Sequence, residues 1–133
     1  MGRRQEQPQK TVREVLDDIR RGYREAVVLG PEAGLKYLVR NFEKRDNVPY
    51  AVRTVAYDLM AECQARLGDW EGCRDSVTEA LDHLDDAREE FPHGFRDLLA
   101  SLTCFERGIQ AHSELGEYQN ALTLCDQAIA LEL

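Results

Sequence analysis

The chain has 133 residues, 43% of them hydrophobic and 32% charged, with a formal net charge of -8 at pH 7. That length accommodates one hydrophobic core without disulfides or metals, and the composition fits a folded globular chain rather than a disordered one. The acidic excess disfavours nucleic acid and anionic membranes, because phosphate binding rests on Lys and Arg, and no apolar run nears the roughly 18 residues that span a bilayer.

The start, "MGRRQEQPQK", reads as a flexible polar tail over residues 1–10, with no hydrophobic segment behind it to serve as a secretion signal. The expected location is the cytoplasm. Cys63, Cys73, Cys104 and Cys125 form neither a C-x-x-C pair nor a tight cluster, which in such a chain favours reduced packing residues over a disulfide framework. Positive charge gathers at the front (Arg3, Arg4, Lys10, Arg13, Arg20, Arg21, Arg24), and acid dominates at Asp82, Asp85, Asp86, Glu89 and Glu90.

Apolar residues recur at the helical period almost throughout, and no window alternates with period two. The first helix is expected over about 11–29, with Val12, Val15, Leu16, Ile19, Tyr23 and Ala26 on one face. Gly30 suits a helix end and Pro31 the first turn of the next helix. That second helix, about 32–45, carries Leu35, Leu38, Val39 and Phe42, and Pro49 bars continuation through the preceding residue. A third, about 49–67, carries Val52, Val55, Ala56, Leu59, Met60, Cys63 and Leu67. A long fourth helix, about 70–90, presents Trp70, Cys73, Val77, Ala80, Leu81 and Leu84 until "FPHG" stops it. The fifth, about 95–115, has Leu98, Leu102, Phe105, Ile109 and His112 at helical spacing, and Gly116 leads into a sixth, about 118–131. Six helices joined by short turns pack as antiparallel neighbours. The expected architecture is therefore all-α: a single domain over 11–133 made of three helical hairpins.

Two stretches echo each other. "LGDWEGC" places Gly68, Asp69 and Trp70 before Cys73 and Ala80, while "LGEYQNA" places Gly116, Glu117 and Tyr118 before Ala121 and Ala128. Large and small residues on the preceding helices fall at Tyr57, Met60 and Ala61, and at Phe105 and Gly108. This pattern resembles the tetratricopeptide repeat family, whose small residues let helix axes approach and whose aromatic fills the hairpin base. The resemblance covers residues 54–133, with 11–45 matching only as a helical pair. The turn glycines lie 48 residues apart (68 to 116), against about 34 in the family, so the fourth and fifth helices are expected to be longer by about two turns each. The resemblance implies hairpins stacked as a right-handed α-solenoid.

No phosphate-binding loop, G-x-S-x-G or H-E-x-x-H occurs. His112-Ser113-Glu114 lacks the P-C-x-x-C that a deaminase zinc site needs, so His112 reads as a helix-interface residue. His83 and His93 gather no ligands, and the 82–90 acids spread around a helix. No catalytic residue, cofactor or metal is expected, and the chain reads as non-enzymatic.

In this family, ligands lie along the groove lined by the first helix of each hairpin. Carried over position by position, the groove falls on Val55, Asp58, Glu62, Ala65 and Arg66, and on Thr103, Glu106, Gln110, Ser113 and Glu114. The first helix would add some of Arg13, Asp17, Arg20 and Arg24. The family's carboxylate clamp uses Lys and Asn where this chain has Asp58, Glu62, Glu106 and Gln110. A basic or mixed-charge peptide or helix is therefore the expected occupant.

The sixth helix is expected to expose Leu122, Ile129, Leu131 and Leu133 at an edge with no polar capping helix after it, which fits a longer array or a homodimer contact. The expected function is that of an interaction module, an adaptor or regulatory scaffold that binds a partner in the groove or at this edge. The competing expectation is a chaperone-type escort that sequesters an aggregation-prone partner, as in secretion systems.

Overall fold

A computed structural model describes residues 10–43 and 47–132. The 1–10 tail (Lys10 apart), the end of the second expected helix at 44–45, and Leu133 lie outside the described residues. Among the described residues the chain is helical, with no strand. The α-helices are α1 (Val12–Val27), α2 (Pro31–Leu38), α3 (Tyr50–Arg66), α4 (Trp70–Asp82), α5 (Leu84–Glu90), α6 (Phe95–Ser101), α7 (Cys104–Glu114) and α8 (Tyr118–Ala130), and a π-helical turn, Val39–Glu43, continues α2.

Local chemistry sets several of the ends. Thr11 and Glu14 form a reciprocal capping box at the start of α1, with Thr11 Oγ1 accepting from the Glu14 N–H at 3.2 Å. Pro31 opens α2, where its missing N–H costs nothing. The echoed turns are also alike in space. Gly68 and Gly116 have φ of 73° and 74°, a left-handed geometry that glycine adopts without strain. The following N–H reaches back across each turn, from Asp69 to the Gln64 carbonyl at 2.9 Å and from Glu117 to the His112 carbonyl at 2.7 Å. These are two copies of one Schellman closure.

Successive helices pack in order: α1 on α2, α2 on α3, α3 on α4, α4 on α7, and α7 on α8. Small residues sit where axes cross. A Cβ added to Gly108 would lie 2.6 Å from Leu124 Cδ1 and 2.8 Å from Val77 Cγ1, so α7 approaches α4 and α8 as closely as it does because position 108 has no side chain.

The long fourth and fifth helices are each in two pieces, which corrects the expected pattern. The 70–90 helix breaks at His83, whose ring lies beside Tyr50 at 5.8 Å and stacks on Tyr57 at 6.2 Å between centroids. The 95–115 helix breaks at Leu102, which is extended with ψ 140°. Between these breaks, α5 and α6 turn back onto the first half of the molecule. Ala87, Phe95, Leu98 and Leu99 are buried in one core with Leu16, Ile19, Leu38, Val52 and Val55. A second core joins Ala61, Cys73, Val77, Ala80, Cys104, Phe105, Ala111 and Leu124. Each fully buried large apolar side chain contributes about 1.5–3 kcal/mol relative to exposure, so the α5–α6 segment is held by packing as well as by its ends.

Candidate interaction surface

The face of α1, α3 and α7 is where the groove residues were expected, and α3 packs against both α1 and α7 there. The structure divides those residues into three groups. Val55 and Asp58 are interior, with 3% and 4% exposure. Val55 belongs to the core that Phe95, Leu98 and Leu99 complete. Neither side chain presents a surface to a partner here: Phe95, Leu98 and Leu99 of α6 complete the core around Val55, and the start of α7 meets Asp58 at Thr103.

Asp58 instead organises the chain. Its Oδ1 accepts from the Thr103 N–H at 2.9 Å and from the Thr103 hydroxyl at 3.4 Å. Thr103 precedes the first residue of α7, so a carboxylate from α3 caps the helix at its positive end. Burial pushes the Asp58 carboxyl up to about 6, against the opposing pull of the Thr103 and Cys104 backbone donors. Thr103 is thereby occupied within the fold, although its side chain remains half-buried.

A second carboxylate works in the same way at the other end of the segment. Glu90, at the end of α5, accepts from the Tyr50 N–H at 3.0 Å and from the Ala51 N–H at 3.1 Å, which caps α3. In the sequence Glu90 belongs to the acidic run at 82–90, and nothing in its neighbourhood marks it as different from Glu89. Arg20 Nη2 donates to Ser101 Oγ at 3.0 Å, and the Arg13 guanidinium lies 5.6 Å from the Phe91 ring centre. Together with a crevice of about 60 Å³ between α1 and residues 91–98, these contacts mark the seam where α5–α6 meets α1.

The remaining positions form an open strip. Glu62 and Arg66 pair at 3.3 Å, and the Tyr23 hydroxyl lies 3.5 Å from Glu62. An open depression of about 570 Å³ beside them is lined by Asp17, Arg20, Arg21, Tyr23, Arg24 and Leu59. On α7, Glu106, Gln110, Ser113 and Glu114 are exposed, and Gln110 accepts from Arg107 Nη1 at 3.3 Å. Ala65 is half-buried. The strip thus runs from arginines on α1, through an ion pair on α3, to carboxylates on α7.

Several other ionisable groups are engaged within the fold. His112 is buried, with Nδ1 2.8 Å from Glu117 Oε1, and Arg74 Nη1 lies 3.1 Å from Glu117 Oε2. The His112 hydrogen bond, helped by Arg74, holds the Glu117 carboxyl below its usual range. This network ties the last turn of α7 to α4. Burial raises the thiols of Cys73 to about 11 and Cys104 to about 12, and that of Cys63 upward as well, so all three are neutral packing groups at pH 7. Among the described residues, no group of three or more His, Cys, Asp or Glu side chains could hold a metal ion.

At the far edge, Leu122 and Ile129 are 58% and 71% exposed, joined by Tyr118 at 66%. Leu131 departs from the expected edge: it packs against both cores and lines a depression of about 510 Å³ with Leu81, Leu84, Phe95 and Phe105. No helix among the described residues is long and apolar enough to cross a membrane. Comparison with protein-family models, with curated proteins and with solved structures gives no match.

Proposed function

We propose that the protein is a non-enzymatic interaction module of the tetratricopeptide-like kind, an adaptor or regulatory scaffold for another protein. The observation that carries this reading is the repeated closure at Gly68 and Gly116, each joining a hairpin, with α4 of the first hairpin packed directly on α7 of the second. A stacked array of such hairpins offers extended surfaces along its length. The surface favoured for a partner is the open strip of Arg20, Arg24, Leu59, Glu62, Arg66, Glu106 and Gln110, since Val55 and Asp58 are buried.

The charge order of that strip favours a mixed-charge helix or extended segment, acidic where it meets α1 and basic where it meets α7. Affinity capture from native lysate tests this with the wild type beside Glu62→Lys and Glu106→Lys. Loss of one common partner from both variants, with helicity intact, supports the strip; retention of every partner by both removes it. The escort reading is the alternative. It rests on the depression where Leu81, Leu84, Phe105 and Leu131 meet, and predicts that co-expression raises the solubility of one partner.

A further inference from the structure

The second helices of the first two hairpins, α2 and α4, both pack on α3, and an open groove lies between them. Its floor is apolar, with Leu35 and Val39 from the α2 side and Tyr57 and Met60 from α3. Two depressions, of about 540 Å³ and 350 Å³, share Leu35 and Val39 and so form one channel. On α4 the channel meets Gly72 and Ser76, whose short side chains leave it open. The rims are charged and of opposite sign. Lys36 and Arg40 stand exposed on the α2 rim, and Asp75 and Glu79 stand exposed on the α4 rim. Asp75 lies 3.1 Å from Arg74 Nε, and Glu79 lies 3.8 Å from His83 Nε2. Lys36 and Arg40 have no ion-pair partner among the described residues, and there no ion pair crosses the groove.

We propose that this groove receives an amphipathic helix of another protein, its apolar stripe flanked by Lys or Arg on one edge and Asp or Glu on the other. The inference rests on the reading of the chain as an interaction module, but uses the second helices of the hairpins where the strip uses the first. Shape selects a helix. An extended segment sends its side chains alternately to two opposite sides, so it cannot meet a floor and two rims at once, whereas a helix can. The spacing agrees. Lys36 and Arg40 are one turn apart, as are Asp75 and Glu79, which matches the roughly 5–6 Å between i and i+4 positions on a partner helix. Charge selects the edges: Asp75 and Glu79 disfavour an all-acidic helix, and Lys36 and Arg40 an all-basic one. A second copy does not supply that pattern. Its exposed apolar helix face is that of α8, whose sequence YQNALTLCDQAIA has no Lys or Arg for the basic edge. Residues 1–9, MGRRQEQPQ, supply no apolar stripe. The groove lies between the first two hairpins, so a longer array continuing from α8 would not fill it.

Three synthetic helical peptides of about 15 residues, roughly four turns, test the proposal on the full chain. All share one Leu stripe; the first carries Lys on one edge and Glu on the other, the second Lys on both, the third Glu on both. At about 0.15 M salt, where charges beyond about 8 Å are screened, the wild type should bind the mixed peptide tightest by fluorescence anisotropy. Combining Lys36→Glu with Arg40→Glu makes both rims acidic and should move the preference about tenfold toward the Lys peptide. Combining Asp75→Lys with Glu79→Lys should move it as far toward the Glu peptide. Methyl signals of Leu35, Val39 and Met60 should shift on binding, which locates the peptide in the groove. The same order of affinity in all three proteins, with helicity intact, overturns the proposal, as does no binding at about 1 mM peptide. A wild-type dimer in sedimentation that either double variant dissociates also overturns it, because the occupant is then a second copy. Glu62→Lys and Glu106→Lys lie outside the groove and should leave the peptide affinities unchanged, so failure here is distinct from failure of the strip.

Discussion

Asp58 on α3 accepts the Thr103 N–H at 2.9 Å, so a side chain from one hairpin fixes where the first helix of the next begins. The two residues are 45 apart in sequence, and the whole α5–α6 segment is looped between them. Burial raises the Asp58 carboxyl to about 6 from the 3.8 of an ordinary aspartate. The folded chain therefore holds the Asp58 proton more tightly than the unfolded chain does. Its contribution is fully present below 3.8 and is lost as the pH rises through 6, by at most about 3 kcal/mol. Denaturant unfolding measured between pH 4 and 7 should show that decline, and Asp58→Asn, which keeps the acceptor without the charge, should flatten it. Asp58→Ala should lower stability at pH 4 by about 1–3 kcal/mol, because the Thr103 N–H loses its acceptor, and by less at pH 7, where the wild type has lost the contribution of the held proton.

Glu90 should behave as a helix cap despite its distance in sequence from α3. Replacing Glu90 by Ala leaves the Tyr50 and Ala51 N–H groups without their carboxylate and should cost about 1 kcal/mol. Amide hydrogen exchange gives the specific signature: faster exchange at Tyr50 and Ala51, with the amides of α8 unaffected. Glu89→Ala should do neither.

The two Schellman turns should be energetically alike. Gly68→Ala and Gly116→Ala each force a Cβ into left-handed geometry, at about 1–2 kcal/mol. Because a Cβ at either site meets nothing within 4 Å, backbone strain alone sets the cost. The two losses, read from urea midpoints, should match and should add in the double variant.

Gly108→Ala is a test of close approach rather than of backbone geometry. The new methyl would meet Leu124 and Val77 well inside van der Waals contact, so α7 must shift against α4 and α8, at about 1–3 kcal/mol. Val77→Ala in the same chain should recover part of the loss.

These residues also mark what the sequence makes legible. The turns at Gly68 and Gly116, the ends of α3 near 50 and 66, and the start of α8 follow from local rules: a left-handed glycine, a proline boundary, the helical period. The breaks at His83 and Leu102 do not. Apolar spacing continues across both, and a periodic stripe reads the same whether it faces one neighbour or two. What interrupts the helices is tertiary: the His83 ring against Tyr50 and Tyr57, and the Asp58 carboxylate on Thr103.

The groove residues divide for the same reason. Val55 fits both a core stripe and a family groove position, and local sequence cannot choose between them. The choice is made by Phe95, Leu98 and Leu99, forty residues on, which complete the core around it. Glu62, Arg66, Glu106 and Gln110 remain accessible because α5–α6 does not extend over them. Helical spacing alone sets Leu131 with Leu122 on an outer edge, but the helix ends at Ala130 and the chain turns Leu131 inward.

The residues between the two echoed hairpins fold back as α5–α6 onto α1 and α3. Nuclear Overhauser contacts in methyl- and aromatic-labelled protein test it most directly. Cross-peaks are expected from Phe95, Leu98 and Leu99 to the group formed by Leu16, Ile19, Val52 and Val55. Continuous helical connectivities through 83 and 102, with no contact between these two groups, would contradict it.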